Sequence, residues 1–280
     1  MTKKEIIDFS KKIVKKYGKN YYRATSLFPK KVREAVYVYY AWMRIADECV
    51  DGELSHFEAE QKLTAWEQDW NNSVSAGEHV SIHEYMSELF LHYSVPPQYA
   101  EGFLFAMKQD LFKKRYNTYE ELEKYMHGSA VVVGLTMLCF FGLHRQDLIP
   151  GATKLGQAMQ LANFLRDIRE DYDDLGRIYL PQEDMARFGL SDNDIANHVL
   201  SDNFKKLMQF EIARCRELYA QAWPAIEKLP WRVKFPIRIA TRNYEGVLSE
   251  IEKSDYDIWS TRHALPKRKK ILIIIKSLFV

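Results

Sequence analysis

Two pairs of aspartates stand four residues apart in strongly apolar surroundings: Asp47 and Asp51 in Arg44-Ile-Ala-Asp-Glu-Cys-Val-Asp51, and Asp167 and Asp171 in Asn163-Phe-Leu-Arg-Asp-Ile-Arg-Glu-Asp171. Residues at i and i+4 are neighbours on a helix, so each pair projects from one face. Carboxylates ringed by apolar side chains are costly to bury without a positive partner, and a hard divalent cation such as Mg2+ supplies one. Such a cation leaves coordination positions for diphosphate oxygens and neutralises charge on a departing diphosphate. Arg44, Arg166, Arg177 and the run Lys267-Arg268-Lys269-Lys270 are candidate diphosphate clamps, because guanidinium groups match phosphate oxygens bidentately.

The helices that carry these pairs are apolar on nearly every side. Around the first pair, Tyr40, Arg44, Asp47 and Asp51 form a polar stripe; at ~100° per residue they fall within about 60° of one another. Gln160, Asn163, Asp167 and Asp171 fall inside about 80° by the same arithmetic, backed by Leu161, Phe164, Leu165 and Ile168. If diphosphate leaves an allylic carbon, the cation left behind needs shelter from water and electron-rich walls. Tyr21, Tyr22, Phe28, Tyr37, Tyr40, Phe103, Phe105, Phe112, Tyr116, Phe140, Phe141 and Tyr244 are the aromatic candidates, although a ring at helical spacing is more often packing.

Helical periodicity runs through the whole chain, punctuated at Pro29, Asp51-Gly52, Asn71-Asn72-Ser73, Pro96-Pro97, Pro150-Gly151, Pro181, Pro230 and Pro266. It predicts helices at 2–17, 30–50, 55–71, 80–94, 97–114, 119–143, 152–173, 200–227, 232–253 and 268–279 and no strands. With no flexible linker between them, residues 1–280 are expected to form one all-α domain. A 47% hydrophobic composition supports a sizeable core, and a formal charge of +2 gives no global field for nucleic acid. Three dispersed cysteines fit a reducing cytoplasmic setting rather than a disulfide framework or zinc site. No signal peptide or membrane span is read, but the basic run followed by Ile271-Leu-Ile-Ile-Ile-Lys-Ser-Leu-Phe-Val280 suits peripheral contact with the anionic inner face of a membrane.

These residues resemble the squalene and phytoene synthases, which join two isoprenyl diphosphates head to head. The resemblance runs from Tyr21-Tyr22-Arg-Ala-Thr-Ser-Leu-Phe-Pro29 through Ala35-Val-Tyr-Val-Tyr-Tyr-Ala-Trp-Met-Arg44 and the first acidic motif. It continues through Asp110-Leu-Phe-Lys-Lys-Arg-Tyr116, Tyr125-Met-His-Gly-Ser-Ala130 and Gln160–Asp171, and closes on the specific string Gly176-Arg-Ile-Tyr-Leu-Pro181. It implies an isoprenoid-synthase α-fold with helices around a central cavity and a reaction through a cyclopropyl diphosphate. It assigns Asp47, Asp51, Asn163, Asp167 and Asp171 to metal binding, with Mg2+ (or Mn2+) as cofactor, and makes Asp47, Asp51, Asp167, Asp171, Tyr40 and Arg44 catalytic. Substrate contact falls to Tyr21, Tyr22, Tyr40, Arg44, His127, Gln160, Asn163, Arg166, Tyr244 and Arg268. The expected activity is condensation of two geranylgeranyl diphosphates to phytoene in carotenoid biosynthesis, by a monomer.

Three alternatives stay open. Farnesyl diphosphate could be the substrate, giving squalene, which requires NADPH, or dehydrosqualene; a catalytically silent membrane-associated binding protein is a reading of another class. Departures from the family pattern bear on this: Glu48-Cys49 inside the first motif, His127 where an aromatic is common, and Val131 to Val133 where small residues are common. The added valine bulk is expected to reshape the cavity.

Overall fold

The computed structural model describes residues 1–51, 54–73 and 80–278; the side chains at 19, 20, 51, 275, 276 and 278 lie outside the description. The described residues are helical, with an isolated bridge between Arg115 and Ile178 as the β pairing among them. The chain forms two compact units, 1–112 with 132–146, and 113–131 with 147–280.

The first unit contains α1 (Lys3–Tyr17), α2 (Lys19–Thr25), α3 (Lys30–Asp51), α4 (His56–Asn71), α5 (Ile82–His92), α6 (Pro97–Phe112) and α8 (Val132–Phe140). Local sequence sets several starts: Thr2 with Glu5, Ser55 with Glu58, and Ser81 with Glu84 form reciprocal caps that satisfy the free N–H groups of α1, α4 and α5. Buried α3 carries the core of this unit. Its Trp42 packs against Trp66, Trp70 and Phe103, and donates its indole N–H to His83 Nδ1 at 3.1 Å. Burial lowers the pKa of His83, keeping the imidazole a neutral acceptor.

The second unit contains α7 (Tyr119–Met126), a π-turn (His127–Val131), α9 (Ile149–Leu175), α10 (Gln182–Arg187), α11 (Asp192–Ala196), α12 (Asp202–Glu227), α13 (Trp231–Lys253) and α14 (Lys267–Leu278). Here α9 packs closely with α12 and with the π-turn. Gly156 permits the second approach, since a Cβ there would lie 2.9 Å from Val131 Cα and 3.2 Å from Ala130 O. Glu211 and Asp184 are buried around Arg214, whose Nη1 donates to both at 2.7 and 2.8 Å. Burial pushes the Glu211 carboxyl up to about 8 despite that guanidinium.

The ten predicted helices are present with shifted ends, and three short ones, α2, α10 and α11, are additional. Each spans too few turns to register as a period, and each is held by its surroundings. The predicted helix 119–143 is interrupted by the π-turn and ends at Phe140, where Gly142 takes a left-handed φ of 65°. Among the described residues no helix is long and apolar enough to cross a membrane.

Candidate active site

The first acidic row lies on α3. Arg44 reaches down its own helix, one Nη1 donating to Asp47 Oδ2 at 2.5 Å while Nε approaches Glu48 Oε1 at 3.5 Å. Its guanidinium also lies 4.7 Å from the Tyr17 ring centre, a cation–π contact that braces it from α1. These are i,i+3 and i,i+4 neighbours, so a straight helix is enough to pair them. Tyr40 sits on the same stripe with Tyr21 beside it, ring centres 5.0 Å apart, and Tyr22 stacks on Tyr37 at 5.7 Å. Tyr21 Oη donates to Met137 Sδ on α8 at 3.6 Å. Asp51 closes the row in sequence, but its side chain is outside the described residues.

The second acidic row, on α9, is built differently. Asp167 leaves helical geometry, with φ −106° and ψ 15°, so the helix bends at the first aspartate of the pair. This is the sparsely allowed region where active-site residues are often found. The straight-helix spacing drawn from sequence therefore does not hold through Asp167. The bend has a local consequence: Arg166 donates to both oxygens of the adjacent Asp167, with Nε to Oδ1 at 2.7 Å, although consecutive residues of a regular helix do not face each other.

Arg262 supplies the other grip. Its Nε and Nη2 donate to Asp167 Oδ1 and Oδ2 at 2.8 and 2.9 Å, and it lies 3.9 Å from Glu170. Burial opposes ionisation of Asp167, but hydrogen bonds from Arg166 and Arg262 outweigh it and hold the carboxyl below its ordinary value. The segment bearing Arg262 is fixed to α9 upstream. Arg169 Nη1 donates to Trp259 O, and Trp259 packs between His198 and Phe204, at 5.0 and 5.1 Å. Asp257 receives the backbone N–H groups of Trp259 and Ser260, both at 3.0 Å, which shapes the turn.

Arg262 was not among the residues read from sequence. It belongs to no helical period, and only the Asp257-to-Ser260 turn marks its segment. Arg268, the expected C-terminal clamp, is exposed on α14. Gln160, Arg166 and Tyr244 are half-buried in this unit, whereas His127 is exposed at the start of the π-turn. Of the candidate cavity walls, Phe103, Tyr116 and Phe140 are buried, while Phe105 and Phe112 are exposed. Val131 is fully buried against Gly156.

The donor set of the second row suits a hard cation. Asn163 Oδ1 is buried with no hydrogen-bond partner, one turn before Asp167, and Glu170 Oε2 is likewise unpartnered. A buried amide oxygen without a partner, one turn before the Asp167 carboxylate, is oxygen-ligand chemistry of the kind Mg2+ takes. Among the described residues no three His, Cys, Asp or Glu side chains already converge as a finished metal centre.

The string Gly176–Pro181 returns the chain beside α9. Gly176 adopts φ 65°, ψ 22°, which caps α9 and lets Arg177 N donate back to Asp171 O at 2.9 Å. Ile178 N then donates to Lys114 O, and Gln182 N to Tyr116 O, at 3.0 and 2.8 Å. Tyr179 is thereby laid flat on Phe164, ring centres 4.0 Å apart, and against Tyr116 and Tyr125 at 5.8 and 5.6 Å. Phe164 follows Asn163 directly in sequence, so α9 carries both the aromatic stack and the acidic row.

The sequence model of the squalene/phytoene synthase family matches residues 14–270. The chain is 31% identical to the phytoene synthase of Arthrospira platensis, covering 98% of this chain and 92% of that one. It is also 31% identical to the 15-cis-phytoene synthase of Synechocystis sp., covering 96% and 83%. Among solved structures, a dehydrosqualene synthase in complex with ligand aligns with TM-score 0.84 and 26% identity over 99% of this chain and 96% of that one. The squalene synthase of Alicyclobacillus acidocaldarius shares the fold at TM-score 0.83 and 23% identity, over 91% and 96%. The spaced acidic rows, the string that follows the second of them and the helical architecture all accord with these matches: the chain belongs to the squalene/phytoene synthase family, and among its relatives it is most like the phytoene synthases.

Proposed function

We propose that the chain, acting as one domain over residues 1–280, condenses two geranylgeranyl diphosphates head to head into phytoene in carotenoid biosynthesis. The observation that carries this reading lies on α9, where Asp167 takes hydrogen bonds from Arg166 and Arg262 and Asn163 Oδ1, one turn before it, is buried without a partner. Mg2+ held by Asp47 and Asp51 in the first row, and by Asn163, Asp167 and Asp171 in the second, would neutralise diphosphate and make it a better leaving group.

The chain's own groups then account for the rest. Arg44, Arg166 and Arg262 offer planar donors to diphosphate oxygens as the carbon–oxygen bond breaks and its electron pair leaves with the diphosphate. Tyr21, Tyr22, Tyr40 and Tyr244 are the proposed substrate walls, with Gln160 and His127 as polar contacts. The allylic cation adds to the double bond of the second substrate, and loss of a proton closes a cyclopropyl diphosphate. Departure of the second diphosphate, rearrangement and a further proton loss give phytoene without a reductant. Aromatic faces and exclusion of water protect both cations.

A second reading is favoured by the likeness to a dehydrosqualene synthase: the same chemistry on farnesyl diphosphate, with NADPH needed only if the product is squalene. Product analysis by mass separates the two. Purified protein with Mg2+ and geranylgeranyl diphosphate is expected to yield phytoene and two diphosphates regardless of NADPH. Products from farnesyl diphosphate alone would shift the assignment to the second reading. Absence of diphosphate release from either substrate would leave only a silent binding protein.

A further inference from the structure

Beyond the paired aspartates, α9 carries a further carboxylate whose contacts lead back to Asp167. Asp173 keeps 37% of its side chain exposed, as the end of a helix allows, yet both of its oxygens are taken. His198 Nε2 donates to Oδ1 at 2.9 Å, and Arg169 Nε donates to Oδ2 at 3.4 Å. The same two residues then meet on Trp259. Arg169 Nη1 donates to its carbonyl, and the His198 imidazole lies on its indole, ring centres 5.0 Å apart and planes 17° apart. Trp259 stands three residues before Arg262, whose guanidinium grips Asp167. The contacts therefore leave α9 at Asp173 and return to it at Asp167.

His198 follows α11 with a left-handed φ of 52°, a conformation that costs most residues and suits glycine. An imidazole sits where glycine would be the easier residue, and it makes two contacts there, one to a carboxylate and one to an indole. The segment that leads to Arg262 is also braced from within. The Asp257 carboxylate accepts from Trp259 N and Ser260 N at 3.0 Å and from Ser260 Oγ at 2.6 Å, while His263 Nε2 donates to Asp257 O at 2.6 Å. A turn held in this way moves as a piece, so whatever fixes Trp259 also sets the direction from which Arg262 arrives. A guanidinium already fixed in place loses less freedom on meeting an anion than one on a loose segment. We propose that Asp173, Arg169 and His198 are positioning residues, which act through Trp259 to hold Arg262 ready for diphosphate at the second acidic row. The proposal rests on the reading of Arg262 as a diphosphate contact.

Calorimetric titration of inorganic diphosphate into the full chain in the presence of Mg2+ tests it. Arg262→Met should weaken binding about ten-fold or more. His198→Gly, which removes the imidazole and suits the left-handed backbone, should weaken it about five-fold, as should Asp173→Ala. In an Arg262→Met background neither change should weaken binding further, because the residue they act through is gone. His198→Gln, which returns an N–H donor and a flat amide to the same place, should recover part of the lost affinity. Unchanged affinity in His198→Gly, an equal loss in both backgrounds, or no recovery in His198→Gln would each overturn the positioning role while leaving the diphosphate contact of Arg262 standing. Unchanged affinity in Arg262→Met would remove that contact and the proposal with it. The full expected pattern in a protein that releases no diphosphate from geranylgeranyl or farnesyl diphosphate would support the positioning role and remove the enzymatic reading.

Discussion

Asp47 and Asp167 hold equivalent places in their acidic rows, yet the protein equips them by different means. Asp47 is met by Arg44 from one turn away on a regular helix, with about a third of its side chain exposed. Asp167 is more deeply buried, with 14% of its side chain exposed, sits at a bend, and is gripped by Arg166 next to it and Arg262 ninety-five residues on. The first arrangement is a local property of α3. The second needs a distorted helix, a turn shaped by Asp257 and a tryptophan wedge to bring its second arginine into place. Cations in both rows already compensate the carboxylates, so a metal or diphosphate arriving at Asp167 must redistribute more contacts than one arriving at Asp47.

Removing charge from either row is expected to have the largest effect. Asp47→Asn and Asp167→Asn should each cut diphosphate release by about a thousand-fold with the helical circular dichroism preserved. A near-normal rate in either variant would unseat that row from the reaction.

Backbone packing beside the second row comes next. Gly156→Ala should destabilise the protein by about 1–3 kcal/mol, since the new methyl meets the backbone of the π-turn. Gly102→Ala, whose Cβ would touch only Val132 Cγ1 at 3.4 Å, should be neutral or stabilising by up to ~1 kcal/mol. Urea unfolding of the two variants measures the contrast, and equal effects would mean the π-turn yields as easily as a side chain.

Double-mutant cycles probe the arginine pairs themselves in metal-free protein. Arg262→Met with Asp167→Asn should show a coupling of about 1 kcal/mol, and Arg44→Met with Asp47→Asn roughly half of that, because the first pair is bidentate and its carboxylate less exposed. A larger coupling at Asp47 would reverse the comparison.

The smallest effects expected are in pH dependence, where the units should respond with opposite sign. His83 in the first unit has a lowered pKa, so its unfolded form takes up a proton first and stability falls as pH drops below the ordinary imidazole value of 6.5. Glu211 in the second has a raised pKa, so its contribution is full below the ordinary 4.5 and is lost as pH rises through about 8. Thermal melts of His83→Gln and Glu211→Gln across this range should each flatten one limb of the profile. An unaltered alkaline limb in Glu211→Gln would show that another group governs it.

Sequence patterning determined the long helices, the caps at Thr2, Ser55 and Ser81, and the row formed by Arg44 and Asp47, because all of these depend on residues within one or two turns of each other. The string Gly176–Pro181 was legible as a signature, but its work was not: laying Tyr179 on Phe164 requires the chain at Lys114 to Tyr116 to pair beside it. Tertiary structure alone decided the bend at Asp167, the π-turn against Gly156 and the arrival of Arg262. Periodicity assumes a regular helix and sees only neighbours along it. A distorted helix and a distant arginine become favourable only once packing holds both in place.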